Sequence, residues 1–365
     1  MIMKVFNDRV LFTDPFRVVF LCGSKFNRHN NTDKRIILKN YILSHYSNTA
    51  VIILEENFIF KESNSTYLSY DEICMKNLLQ IELLVSLYAS KIIVIHESHS
   101  TAAEIGAFSS KKELLPRIAI IAPDKYSVEE DKLGVFLERS FSHQDEKNTG
   151  LYRYYPDIVP HPFSENKSDY YCYFHNNIIG ENLGRFFQSF LNTDENESFE
   201  LKIQKSPYNK ETKDTDVIEY FTEDEKIRAF VHPKVLKAQI LSLMCLQDVK
   251  KCLKQSKRII DHVGYIQTLY EQYLVQTIQE KEGDKRIAEI KVSIKNADCT
   301  LREAIGCLLF VLQAAQLIQL QTDSEDKQTV GLRKVVFQPL FTQKQSIFEH
   351  IIVSKKETAF GRSFV

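Results

Sequence analysis

Four short runs of aliphatic residues, each closed by polar ones, constrain this chain most. They are Arg17 to Cys22 (RVVFLC), Ala50 to Leu54 (AVIIL), Lys91 to Ile95 (KIIVI) and Ile118 to Ala122 (IAIIA). A short run without polar alternation is the pattern of a strand covered on both faces, as in a parallel sheet. Helical spacing fills the gaps, with Ile36, Ile37, Tyr41 and Ile42 before the second run. Leu78, Leu79, Ile81, Leu84, Val85 and Leu87 do the same before the third. Strand and helix alternating over residues 17–126 predict an α/β, doubly wound parallel sheet.

Such sheets bind ligands outside the carboxyl ends of their strands. Here those ends carry Gly23-Ser24, Glu55-Glu56, Glu97-Ser98 and Asp124. The third run leads through HESHS into a helix expected to open around Thr101, with Glu104 in its first turn. Thr101-Ala-Ala-Glu104 also fits a capping box, in which the Glu reaches back to the cap amide. The chemical reading differs. A carboxylate kept ionised near free helix amides can attack an anomeric carbon and form a covalent glycosyl-enzyme.

The other candidates have plain alternatives beside them. Ser98, Ser100 and Thr101 can bind phosphate or ribose hydroxyls, or simply make a turn. Glu55 and Glu56 can hold ribose hydroxyls or close a polar turn. Glu82 lies near the edge of an apolar helix face, where a solvated side chain is common. His96 and His99 flank Glu97, but no third ligand stands at recognisable spacing, so no metal is expected. Gly23 alone is far from a dinucleotide fingerprint. Lys250, Lys251, Lys254 and Lys257 are basic at helical spacing, which by default is a solvated face.

Beyond residue 126 the pattern weakens. An extension over 127–190 is expected to pack on the first domain (1–190), and a linker is expected at 191–216. A mainly helical domain is then expected over 217–365. Helical periodicity returns at 233–281, with further helices predicted at Lys285–Asn296 and Leu301–Leu320. LIQLQ, a turn-rich segment and LRKVVFQPLF then suggest a two-stranded wing, the order of a winged helix-turn-helix. The net charge of −1 gives no global attraction to nucleic acid or anionic membrane. Seven cysteines without a CxxC pair read as buried reduced thiols. No stretch reaches membrane-spanning length, so a soluble cytoplasmic protein is expected.

Taken together, VVFLCGS, IILEENF, NLLQIELL and IIVIHESHSTAAEIGAF resemble one family, the nucleoside deoxyribosyltransferase-like effectors of bacterial retrons. These are toxins of anti-phage defence, encoded beside a reverse transcriptase and its non-coding RNA. The family pattern has a strand ending Phe-Leu-Cys-Gly, an NLL-x-x-E helix, and Glu-Ser-Pro-Gly-Ser/Thr-x-x-Glu-Leu-Gly-Ala-Phe after the next strand. Glu97, Ser98, Thr101, Glu104, Gly106, Ala107 and Phe108 stand in matching places. His99-Ser100 replaces the Pro-Gly pair, and Ser90 replaces the Asp expected before the strand. SVEEDKLGVF replaces the segment tied to base recognition.

The resemblance implies an N-glycosidase or ribosyltransferase with Glu104 as nucleophile. Cys22, Gly23, Ser24, Glu55, Glu82, Glu97, Ser98, Ser100, Thr101 and Tyr126 form the substrate-binding set. NAD or a related nucleotide is expected as substrate, with no cofactor. A purine leaving group needs a general acid, whereas nicotinamide leaves a cationic pyridinium as a neutral molecule. The retron reverse transcriptase and its RNA-linked DNA (msDNA) are the expected restraining partners. Lys250, Lys251, Lys254 and Lys257 are the nucleic-acid candidates, and self-association is compatible with this reading. Two rivals stand beside it: a non-catalytic nucleotide-sensing module, and a DNA-binding regulator acting through the winged helix.

Overall fold

The computed structural model describes Phe6 and residues 10–13, 17–23, 33–46, 49–57, 73, 75, 77–126, 128–142, 150–154, 174, 179–192, 198–206, 210, 212–223, 225–286, 288–322 and 334–339. The first elements are β1 (Val10–Thr13), β2 (Arg17–Gly23), α1 (Lys34–His45), β3 (Thr49–Ile52), α2 (Leu54–Asn57) and α3 (Leu78–Tyr88). Next come β4 (Lys91–Ile95), α4 (His99–Ser109), β5 (Ile118–Pro123), α5 (Gly134–Ser142), β6 (Leu151–Tyr154) and α6 (Glu181–Asn192). Then follow β7 (Ser198–Lys205), β8 (Val217–Glu223), β9 (Lys226–Val231), α7 (Pro233–Met244), α8 (Gln247–Leu253) and β10 (Lys257–Arg258). The last are α9 (Ile259–Glu282), β11 (Glu289–Ile294), α10 (Leu301–Ala314), β12 (Ile318–Thr322) and β13 (Lys334–Pro339). Two compact units result. One holds Arg17–Asn57 and Ala89–Glu195, and the other holds Met1–Phe16, Phe58–Tyr88 and Asn196–Val365.

The first unit is the doubly wound sheet that the aliphatic runs predict. Its strand order is β3-β2-β4-β5-β6, and every pairing is parallel. All residues of β3 and β4 are buried, which is why neither run alternates. Val19, Leu21, Val51, Ile93 and Ile121 pack with Leu38 and Ile42 of α1 and with Leu183, Phe187 and Leu191 of α6. Phe20 meets Phe108 of α4 edge-on at 6.0 Å between ring centres. Buried Lys91 lies against an aromatic face, with its side-chain nitrogen 4.7 Å from the Phe190 ring centre. β6 (LYRY) joins as a fifth strand, within the stretch expected as an extension.

The second unit departs further from the sequence reading. It holds a mixed sheet in the order β1-β7-β8-β9-β11. Residues 198–205, expected as linker, form β7, with Phe199, Leu201 and Ile203 buried at alternate positions. The helix predicted at Lys285–Asn296 is instead β11, paired in parallel with β9. Helix α3, expected to cross over within the doubly wound sheet, belongs here and packs with α7 and α10. Its Tyr88 hydroxyl donates to the Ala304 carbonyl at 2.9 Å.

Strands β10, β13 and β12 form a three-stranded antiparallel sheet in that order, the arrangement of a wing with its short partner strand. Residues 323–333, which hold most of the segment expected to turn between the two wing strands, lie outside the described residues. Helix α10 occupies the recognition-helix position, yet Glu303 through Gln313 are all buried. A helix apolar all round is a core helix, so α10 offers no face to a DNA groove.

Cys22, Cys252 and Cys307 are buried and Cys245 and Cys299 half-buried, all as free thiols. Burial pushes the Cys299 thiol up to about 12. Cys74 and Cys172 lie outside the described residues. Among the described residues, no helix is long and apolar enough to cross a membrane.

Candidate functional site

In the parallel sheet, β3 lies on one side of β2 and β4 on the other, so the winding reverses between β2 and β4. Gly23 ends β2 opposite Ile95, the last residue of β4. The residues that follow β4 therefore enter the crevice where such sheets hold ligands.

Helix α4 starts earlier than the sequence suggested. Ser98 is the N-cap, in an extended conformation, and its Oγ accepts from the Thr101 amide at 3.4 Å. The Thr101 hydroxyl donates to the Ser98 carbonyl at 2.6 Å, and the Ser98 and Ser100 hydroxyls lie 2.8 Å apart. The capping box expected at Thr101 is thus absent, because Ser98 takes the cap three residues sooner. Glu104 falls in the second turn, beyond the four free amides, and the terminal dipole fades over that distance. It is half-buried, with Oε2 shielded from solvent.

Glu97 is anchored from two sides. Its Oε1 accepts from the Lys34 ammonium at 2.6 Å and from the Tyr154 hydroxyl, while that ammonium also lies 5.3 Å from the Tyr154 ring centre. A second anchor involves Arg35, only 2% exposed. Its guanidinium donates to Glu55 at 2.8 Å and to Asp33, the N-cap of α1, at 3.4 Å. Burial works against this charge, but Glu55 and Asp33 more than offset it and raise the Arg35 pKa. Glu56 pairs with Lys39 at 2.6 Å.

Gly23 therefore has a packing reason to be Gly. A Cβ there would stand 2.9 Å from the Arg35 Cδ. Gly23→Ala is expected to cost about 1–3 kcal/mol through overpacking. Urea unfolding checks this, and an unchanged midpoint would mean that Arg35 moves aside freely.

Beside Glu97 opens a cleft of about 350 Å³, lined by His96, Glu97, Tyr154 and the segment Val128 to Leu133. This wall comes from SVEEDKLGVF, the stretch where the chain departs from the family pattern. Arg153 holds it with a two-pronged grip on Asp131, at 2.9 and 2.8 Å. The grip keeps the Asp131 carboxyl below its ordinary pKa. His96 holds it too, as its Nε2 lies 2.9 Å from the Lys132 carbonyl and its Nδ1 2.7 Å from the Thr101 hydroxyl.

Of the residues singled out in the sequence, Gly23, Glu97, Ser98, Ser100, Thr101 and Glu104 gather around the switch point. Cys22 is buried in β2, and Tyr126 is 86% exposed just beyond β5. Ser24 lies outside the described residues. Glu82 is half-buried on α3, in the other unit. Lys250 and Lys251 are on α8, Lys254 caps it and Lys257 starts β10. Arg35, Tyr154, Asp131 and Arg153 went unnoticed, and His96 was considered only as a metal ligand. No local pattern marks them, because each acts through a partner on another element. Among the described residues, no group of three or more His, Cys, Asp or Glu is placed to hold a metal ion.

A parallel sheet with polar groups at its switch point is the architecture in which α/β domains hold ligands. Residues 31–132, which hold most of this site, match the family model described as STM3845 retron effector protein. The chain is also 30% identical over 139 residues to a protein of Escherichia coli retron Ec73, named as a proposed ribosyltransferase/DNA-binding protein. That match covers 38% of this chain and 42% of the relative, so the chain spans less than half of the relative's length. The resemblance to retron effectors is borne out.

Proposed function

We propose that this chain is a retron effector and an N-glycosidase whose nucleophile is Glu104 and whose substrate is NAD or a related nucleotide. The observation that carries the reading is the start of α4. Ser98 caps the helix, so Glu104 is not the capping carboxylate that its spacing suggested. The ribosyltransferase role named for the Ec73 relative supports a glycosyl-transfer chemistry of this kind.

In the first step a Glu104 oxygen bonds to C1′ of the ribose while the bond to the base breaks. The bonding pair leaves with the nicotinamide, which turns from a pyridinium cation into a neutral molecule. Water then attacks C1′, releases Glu104 and loses a proton to solvent. No protonation of the leaving group is needed. In the cleft beside Glu97, His96 and the Tyr154 hydroxyl are already engaged, and Glu129 and Glu130 on its wall favour a cation.

The test is release of nicotinamide from NAD by the purified protein, measured by chromatography for wild type and Glu104→Gln. Release by both or by neither removes the nucleophile. If neither cleaves but both bind nucleotide, the chain is a sensor.

A second role is favoured by the β10-β13-β12 sheet and by the DNA-binding part of the relative's name. Since α10 is buried, nucleic acid such as the retron's RNA-linked DNA would meet the lysines around α8, in concert with the reverse transcriptase. Replacing Lys250, Lys251 and Lys254 together by Gln is expected to flatten the salt dependence of DNA binding by about three contacts. An unchanged slope would place the contact elsewhere.

A further inference from the structure

His96 lines the cleft and is almost fully enclosed, at 1% exposure. The Lys132 carbonyl can only accept, so the proton lies on Nε2. Burial lowers the His96 pKa, countered in part by the Lys132 bond and Asp131, while Arg153 and His99 lower it further. On the far side of the ring, Nδ1 lies 2.7 Å from the Thr101 hydroxyl. Thr101 precedes Glu104 by three residues, so the two share a face of α4. On the other side of the ring, Lys132 is bound a second time, through its ammonium to the Glu97 carbonyl at 3.4 Å.

We infer that His96 is a positioning residue, a buried latch that ties the 128–133 wall of the cleft to the helix carrying Glu104. One ring spans both elements, so the distance from wall to nucleophile is set by the two ring nitrogens rather than by a loop. The consequence for turnover rests on the glycosidase reading, whereas the latch itself does not. A misplacement of about 1 Å between substrate and nucleophile costs on the order of 100-fold in rate, which is the kind of error that the latch prevents.

Two substitutions in the full chain separate this role from simple filling of space. In His96→Gln the amide nitrogen reaches the place of Nε2 and still donates to Lys132. In His96→Asn the shorter amide reaches only the Thr101 side. Amide hydrogen exchange over 128–133 is expected to quicken roughly tenfold in the Asn variant and to stay near wild type in the Gln variant. KM for NAD is expected to rise with the loosened wall in the Asn variant and to recover in the Gln variant. Should His96→Asn fail to fold, His96→Leu fills the same space without either bond, and exchange in the wall should again quicken. Equal protection of the wall in all variants would overturn the latch. So would a loosened wall with unchanged kinetics in an active enzyme. A wild type that protects the wall through His96 yet releases no nicotinamide would count against the glycosidase reading alone.

Discussion

Glu104→Gln is expected to lower nicotinamide release by roughly 1,000-fold or more, the scale on which removal of a nucleophile acts. Its melting temperature should stay close to wild type. The amide is nearly isosteric with the carboxylate, and the N-terminus of α4 is held by Ser98 and Thr101 rather than by Glu104. Separation of activity from stability is the informative part. A Gln variant that lost both would show that the carboxylate holds the fold.

The largest stability effect is expected at the other unit's buried ion pair. Lys295 is 2% exposed and Glu219 fully buried, with 2.9 Å between ammonium and carboxylate. The ammonium also donates to the Asp214 and Val217 carbonyls, and the Thr212 amide donates to the same carboxylate. Lys295→Met strands the carboxylate and should cost about 3–5 kcal/mol, a fall in melting temperature on the order of 10 °C. Burial pushes the Glu219 carboxyl up, but Thr212 and Lys295 more than offset this, so its folded pKa lies below the ordinary 4.5. The pair's stabilisation is therefore full above the unfolded value and is lost as pH falls through the lower folded value. In Lys295→Met the stranded carboxyl protonates readily, so the gap between variant and wild type should narrow in acid. Thermal melting at several pH values checks both the size and the trend. A deficit below about 1 kcal/mol would mean that water reaches Glu219.

The parallel sheet was legible because burial on both faces leaves an unbroken aliphatic run, as in KIIVI and IAIIA. The second sheet was hidden by its chemistry. In β11 the sequence EIKVSI places charge or hydroxyl on every other residue, and in β7 the apolar residues are diluted by Glu200, Lys202 and Gln204. Helix α3 was recognisable as a helix, but nothing in its apolar residues said which unit would cover them. The Thr-x-x-Glu pattern shows the same limit. At Thr300 and Glu303 it forms a reciprocal capping box, with bonds of 2.7 and 3.2 Å. At Thr101 and Glu104 the same letters do not, since Ser98 had already opened the helix. The switch-point residues were visible as polar groups at strand ends. The anchors Arg35, Tyr154 and Arg153 were not, because a buried charge is defined by a partner 20 to 60 residues away.

The most direct test of the central claim is the nucleotide pool of cells briefly expressing the wild type or Glu104→Gln, without a reverse transcriptase or its RNA-linked DNA. Loss of NAD with matching release of nicotinamide in the wild type alone is the expected result. Unchanged pools in both, or equal NAD loss with the Gln variant, would contradict a glycosidase built on Glu104.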